Sequence, residues 1–343
     1  MQLNDTHLAN LPALKRRLAS RPDLALNWAA KTWTGATGQG YCYALTFDGT
    51  YIYVGLLMNP AKVIKIDPST MATVATWTGA SGQSNCNALL YDGTWLYAGL
   101  GTSSPAQVVK INPSTMATVK SWTGATGQDY CYALTFDSTY IYVGLLMNPA
   151  KVIKINPSTM ATVAIWTGAG GQNNCHALTY DGIYIYAGLN ISPAQVVQIN
   201  PSTMATVATW TGAGGQNSCL ALSFDGTYIY AGLYILFNPA QVVQINPSTM
   251  ATVATWTGAA GQIYCTSLVF DGTYVYAGLW ISPAQVVKIN PSTMATVAIW
   301  TGATEQNYCA SLTFDGVYIR IGLDTSPAQV VRKIMRNLDE TGT

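Results

Sequence analysis

The sequence predicts an all-β protein: a seven-bladed β-propeller with four antiparallel strands per blade. Three observations carry this expectation. The tripeptide Trp-Thr-Gly recurs at Trp33, Trp77, Trp122, Trp166, Trp210, Trp256 and Trp300, at intervals of 44 to 46 residues. A fixed period of that size signals a repeat architecture. A cysteine follows each of these tryptophans by nine residues, and Cys42, Cys86, Cys131, Cys175, Cys219, Cys265 and Cys309 are all the cysteines of the chain. Within one period lie four short runs rich in Val, Ile, Thr and Tyr, none long enough for a helix. Four short strands per period, repeated radially, make a propeller blade.

The elements of the first period are Cys42–Phe47, Thr50–Leu56, Ala61–Ile66 and Ala72–Thr78. Asp48-Gly49 joins the first two. Between two apolar runs it predicts a type I′ hairpin turn, which needs φ > 0 at both central residues. On that reading the turn aspartates are backbone-conformation residues, not catalytic acids. Asp67-Pro68-Ser69-Thr70 joins the last two runs as a type I turn, because Pro presets φ and the Asx side chain accepts onward hydrogen bonds. A Gly-rich run then crosses to the next Cys, and the Gln three residues before that Cys is repeated in every blade. Loop-to-loop bonding between blades is the expected role of these glutamines, with a ring of amides at the channel mouth as the alternative.

The chain ends fix the closure. The first Trp-Thr-Gly has no strands before it, and the last unit has three strands and no fourth. Seven complete blades therefore require a 1+3 closure, with Thr32–Thr34 pairing with Ala328–Ile334. This pairing removes the open edge between first and last blade. Residues 32–334 are thus one propeller, flanked by an extension (1–31) and a tail (335–343). In the extension, Asn10 is placed to cap a short helix whose Leu11, Leu14 and Leu18 share a face. About nine residues is too short for a helix to stand alone, so docking on the propeller is expected, with docking on a partner or disorder as the alternatives. The closing blade departs from the pattern at Glu305, Arg320 and Arg332-Lys333. Arg320 and Glu305 are expected to accommodate the extension at the seam.

Composition bounds the function. Charged residues are 9 % of the chain and the net charge is +1, which leaves no basic field for nucleic acid. No apolar run approaches membrane-spanning length, and the start lacks a basic region followed by an apolar one, so no secretory signal is expected. The cysteines share one repeat position, too far apart for disulfides. They are expected to be small buried residues of the innermost strand, a thiol ring for a soft metal being the alternative. Free thiols lean towards a reducing, cytoplasmic compartment. The inventory of acids and bases argues against an enzyme. His176 is the only histidine of the propeller, and outside the hairpin turns its acids are Asp67, Asp129, Glu305 and Asp324. No general acid–base pair, catalytic triad or metal-ligand spacing can be built from these, so no cofactor or metal is expected.

Strand direction sorts the loops by face. The Asp-Gly and Pro-Ser-Thr turns share one face and scarcely change. The loops around each Cys and between second and third strands share the other face and vary. The candidate binding residues lie there: Tyr41, Tyr43, Asn87, Tyr130, Tyr132, His176, Tyr264 and Tyr308 beside the cysteines, with Leu57, Met58, Met147, Asn190, Tyr234, Leu236, Phe237, Trp280 and Asp324 in the second-to-third loops. Aromatic and Met side chains concentrated on one face suggest a protein contact or a sugar-stacking surface.

The second-to-fourth strands, for example residues 183–210, resemble the YVTN/NHL-type propeller repeats, with their D-G-x-x-x-Y-V strand and I-D-P-x-T turn. The resemblance spans roughly residues 32–334. It implies a propeller and a family that includes surface-layer and adhesion proteins, lectin-like binders and some lactonases. The lactonases use acidic metal ligands from several blades, which this sequence does not supply. The Gly-His and Trp-Asp signatures of WD40 blades are absent. The expected function is a non-enzymatic binding or scaffold protein that meets a protein partner through its variable face. A lectin-like glycan binder is the second reading and a metal-dependent hydrolase the third.

Overall fold

The computed structural model describes residues 31–101, 104–236 and 239–333. Over these residues the chain forms seven four-stranded antiparallel sheets. Six sheets follow chain order. The seventh is closed by the start of the chain: Lys31–Thr34 pairs with Gln329–Lys333, with Trp33 opposite Val330. The 1+3 closure expected between Thr32–Thr34 and the last strand is therefore present. The short helix predicted around Asn10 and the tail beyond Lys333 lie outside the described residues. Among the described residues no helix is long and apolar enough to cross a membrane.

Each sheet is amphipathic in the manner of a layered blade. Second strands such as Ile52–Leu56 are buried throughout, whereas the fourth strand Thr73–Thr78 is exposed except at the buried Trp77 and the half-buried Ala75. The Trp side chains lock neighbouring blades together. Trp33 Nε1 donates to Thr73 Oγ1 of the next blade's outer strand at 2.9 Å, and Trp77, Trp122, Trp166, Trp210 and Trp256 repeat the bond at the same length. The Met that ends each Pro-Ser-Thr-Met turn takes φ between 50° and 59°. That conformation is costly for a long side chain. Its burial against the preceding blade's Trp, as for Met71 against Trp33, offsets the cost.

The inner wall has its own lock. All seven cysteines are free and buried. Each sulfur packs against a glycine in the second strand of the preceding blade: Cys175 against Gly144, Cys42 against Gly322 and so on round the ring. Burial pushes the thiols well above their ordinary range, so they are inert packing groups. Among the described residues no three His, Cys, Asp or Glu side chains converge as metal ligands.

Two expectations are corrected. The Asp-Gly loops are not type I′ turns. Gly49 has φ of 92°, but Asp48 is not in the left-handed region. Asp48 acts through its carboxylate instead: Oδ1 accepts the N–H groups of Thr50 and Tyr51 at 2.7 and 2.6 Å, and Oδ2 accepts the Tyr53 hydroxyl at 2.7 Å. The same Asp–Tyr bond recurs in five further blades. In the seventh, Arg320 stands in for the Tyr and donates from Nε to Asp315 at 2.7 Å and from a terminal nitrogen to Pro68 O of the first blade at 3.3 Å. Arg320 thus bridges the closing interface on the invariant face.

Glu305 has no share in that bridge. It is exposed in the crossover from sixth to seventh blade. Its φ is 70°, in the place that Gly38, Gly82, Gly127, Gly171, Gly215 and Gly261 fill in the other blades. Glu305→Gly is expected to raise stability by about 1 kcal/mol, because glycine meets no Cβ penalty there. A thermal midpoint that falls in this variant contradicts the assignment.

Candidate functional site: the variable face and the channel mouth

The repeated glutamines belong to the scaffold and not to the channel. Gln83 Oε1 accepts the Ala80 N–H at 2.9 Å, and its Nε2 donates to Gln107, which opens the third strand of the next blade, at 2.8 Å. Gln172, Gln216, Gln262 and Gln306 make the corresponding bonds to Gln195, Gln241, Gln285 and Gln329.

The residue before each Cys has positive φ, from 52° at Ser218 to 63° at Tyr41. This turn aims its backbone at two loops. Its carbonyl accepts the first N–H of its own blade's second-to-third loop, as in Leu57 to Tyr41 at 3.1 Å and Asp324 to Tyr308 at 2.9 Å. Its N–H donates to the preceding blade's loop, as in Tyr308 to Ile281 at 2.9 Å and Tyr41 to Thr325 at 2.8 Å. The variable loops therefore form a hydrogen-bonded collar on a rigid wall. Side chains there can change without disturbing the backbone that holds them.

The residue after each Cys is a β-bulge. Pairing skips from Cys42 to Ala44, leaving Tyr43 unpaired, and the same skip occurs in every blade. A bulge re-aims its side chain. Here it turns Tyr43, Asn87, Tyr132, His176, Leu220, Thr266 and Ala310 into a central cavity of ≈ 260 Å³. Tyr132 is hydrogen-bonded to Asn87. His176 Nδ1 lies 3.3 Å from Leu220 O, a contact that needs the proton on Nδ1 because a carbonyl only accepts. Burial pushes the His176 imidazole down to about 4, so it is neutral at neutral pH. The Thr266 hydroxyl donates to Cys309 O at 2.7 Å. Polar groups of the wall thus mostly serve the neighbouring blade.

Above this wall the aromatic residues gather. Tyr234 stacks on Tyr264 at 4.1 Å, and Trp280 stacks on Tyr308 at 5.4 Å. Tyr43 meets Tyr132 and Trp280 edge-on at 6.4 and 6.5 Å, and Tyr132 lies 5.0 Å from His176. Tyr41, Tyr130, Tyr308 and Leu236 are exposed, at 45, 42, 38 and 57 %. Leu57 and Asn190 are half-buried in their loops. Met58 and Met147 pack against the hydrophobic clusters of their blades, so they contribute less surface than the sequence suggests. Phe237 lies outside the described residues. Sequence reasoning found the varying positions. It missed that the residues before and after each Cys point to different places, for which the only signal is the Cys itself, fixed between two variable neighbours.

No protein-family model matches the chain, and no curated protein matches it in sequence. Among solved structures, that of U3-55K is similar, with a TM-score of 0.70 over 89 % of this chain and 98 % of that one, at 13 % identity. At that identity the likeness shows the fold alone, a seven-bladed propeller.

Proposed function

We propose that this propeller is a non-enzymatic binding protein that docks a protein partner on its variable face, across the channel mouth. The observation that carries the reading is the pair of aromatic groups on that face, Tyr234 with Tyr264 and Trp280 with Tyr308 and Tyr43, joined through the main-chain Trp280 N–H to Tyr264 O hydrogen bond. Aromatic side chains held rigidly at low entropy cost are typical anchors of protein interfaces. The resemblance to YVTN/NHL-type repeats adds support, because that group includes adhesion and other binding propellers. A lectin-like site needs an open ring face beside converging amides. The ring neighbours of Trp280 are instead Tyr308 and Tyr43, and that of Tyr234 is Tyr264, with no converging amides among them, which favours a protein partner over a sugar.

The test is affinity capture with the full chain and with a Trp280→Ala/Tyr308→Ala variant, cross-linked and read by mass spectrometry, beside a glycan array. Partners held by the native chain should be lost by the variant, and cross-links should map to the variable loops. Cross-links confined to the Pro-Ser-Thr turns, or glycan binding with no protein captured, overturn the reading.

A further inference from the structure

Two buried side-chain oxygens among the described residues have no hydrogen-bond partner, Asn173 Oδ1 and Asp324 Oδ1. The repeat accounts for the first. At its position Asp129, Asn217 and Asn307 accept a serine hydroxyl from Ser104, Ser192 and Ser282 at 2.7, 2.6 and 2.7 Å. The blade facing Asn173 has Asn148 in place of the serine. Nothing in the repeat accounts for Asp324, whose counterparts are Leu57, Gly101, Leu146, Asn190, Tyr234 and Trp280.

The surroundings of Asp324 are aromatic. Its N–H donates to Tyr308 O at 2.9 Å, which holds the two residues side by side in the collar. Trp280, one blade back, stacks on Tyr308 at 5.4 Å. The same Trp280 reaches Tyr43 of the first blade at 6.5 Å. It thereby spans the seventh blade, that of Asp324, whose channel residue is only Ala310. The Asp324 charge acts on Tyr43 directly. Three rings and one carboxylate thus frame one sector of the channel mouth. In the loops of this face the charged residues are Asp129, Glu305 and Asp324, with no Lys or Arg among them.

We propose that Asp324, Tyr43, Trp280 and Tyr308 form a recognition site for a lysine ammonium of the protein partner, an inference that rests on this face being a protein-docking surface. Ring faces attract a cation through their quadrupole. An ammonium brings three N–H donors to the Asp324 carboxylate, whose Oδ1 is closed off from solvent while the residue as a whole is half-buried. Lysine suits the site better than arginine, because burial of Oδ1 leaves a single carboxylate oxygen to approach and no bidentate acceptor for a guanidinium fork. The invariant face shows the same chemistry within the chain: Lys65 Nζ lies 3.9 Å from the Tyr51 ring centre and donates to a carbonyl, Pro113 O, at 2.7 Å.

Burial pushes the Asp324 carboxyl up to about 6. The titratable groups acting on it are Cys42 and Tyr43, both pushed up by burial and so neutral. The folded protein binds this proton more tightly than the unfolded chain does. Its stability therefore falls as pH rises from about 4 through about 6. Asp324 is a residue held at a cost to the fold.

The test is a titration of the full-length protein with Nα-acetyl-lysine methylamide and with its neutral Nε-acetylated counterpart, followed by the Trp280 indole N–H signal. At about pH 7.5, where Asp324 is ionised, the charged amide should bind saturably. The neutral amide, and the charged amide with Asp324→Asn, should bind about tenfold or more weakly. Affinity should fall as pH drops through about 6. The Asp324→Asn variant should unfold at a higher temperature than the native protein at about pH 7.5 and at the same temperature at about pH 4. Equal binding of the two amides, unchanged binding by Asp324→Asn, or a lower midpoint for that variant at the higher pH overturns the proposal. Loss of partner capture by Trp280→Ala/Tyr308→Ala without amide binding overturns the lysine site and leaves the docking surface standing. Amide binding together with partner capture that survives those substitutions overturns the docking surface.

Discussion

Replacing Arg320 with leucine is expected to destabilise the protein by about 3–5 kcal/mol, the cost of leaving one member of a buried ion pair alone. Arg320 is 1 % exposed. It is ion-paired with Asp315, which also accepts the Val317 and Tyr318 N–H groups at 2.9 and 2.7 Å. Burial works against the Arg320 charge, and Asp315 sustains it. Leucine fills much of the space but gives Asp315 no donor and frees Pro68 O across the seam. Arg320→Tyr should cost far less, about 1 kcal/mol. Six other blades place a tyrosine at this point, with the hydroxyl 2.7 or 2.8 Å from the aspartate. Urea unfolding of both variants decides the matter. If leucine and tyrosine shift the midpoint equally, the ion pair is not what secures the closing blade. Because Arg320 lies at the junction of the first and last blades, the leucine variant should also open first there, seen as faster hydrogen exchange in Lys31–Thr34.

The sequence reveals the scaffold better than the site for a physical reason. A propeller is built from contacts repeated from blade to blade: among the described residues the Trp–Thr bond occurs at six interfaces and the Cys–Gly contact at seven. The Trp–Thr bond, the Cys–Gly contact and the Asx turns therefore appear as fixed letters at a fixed interval. Counting Trp33 to Trp300 gives the blades, and the unequal ends give the closure. The strand limits differ by one or two residues where a turn side chain takes the first ladder position, as with Tyr51 before Ile52. The Asp-Gly turns depart from the type I′ expectation because the dipeptide pattern reports backbone preference, while Asp48 works through both carboxylate oxygens. The site is harder because it depends on direction. Tyr41, Cys42 and Tyr43 are consecutive, yet they point to the outer face, the blade interface and the channel. One left-handed residue followed by one bulge produces this fan, and neither leaves a composition signal. Asp324 could be read as one more variable letter. Only the positions of Trp280 and Tyr43, one blade to either side, show what surrounds it.

The Cys–Gly lock links scaffold to site, and Gly144→Ala tests it. A Cβ built on Gly144 would lie 2.8 Å from Cys175 Sγ and 3.2 Å from Ala133 Cβ. The sulfur cannot swing away, because Cys175 is fully buried at the blade interface. Gly144→Ala should therefore cost about 1–3 kcal/mol through overpacking. Cys175→Ala alone should cost about 1 kcal/mol for the small void it leaves. Combined, the second change removes the atom that the first one strikes. The double variant should be more stable than the sum of the two predicts by about 1 kcal/mol or more. The remaining contact with Ala133 keeps the rescue partial. Additive losses in urea unfolding show that the sulfur is not the obstacle. A second readout reaches the variable face. His176 follows Cys175 directly and is positioned by the bulge that begins there. Displacing the sulfur moves the imidazole against Tyr132, 5.0 Å away, so the single variant should shift the His176 ring signals and the double variant should restore them. The most repeated contact of the fold thus sets the position of the least repeated residues.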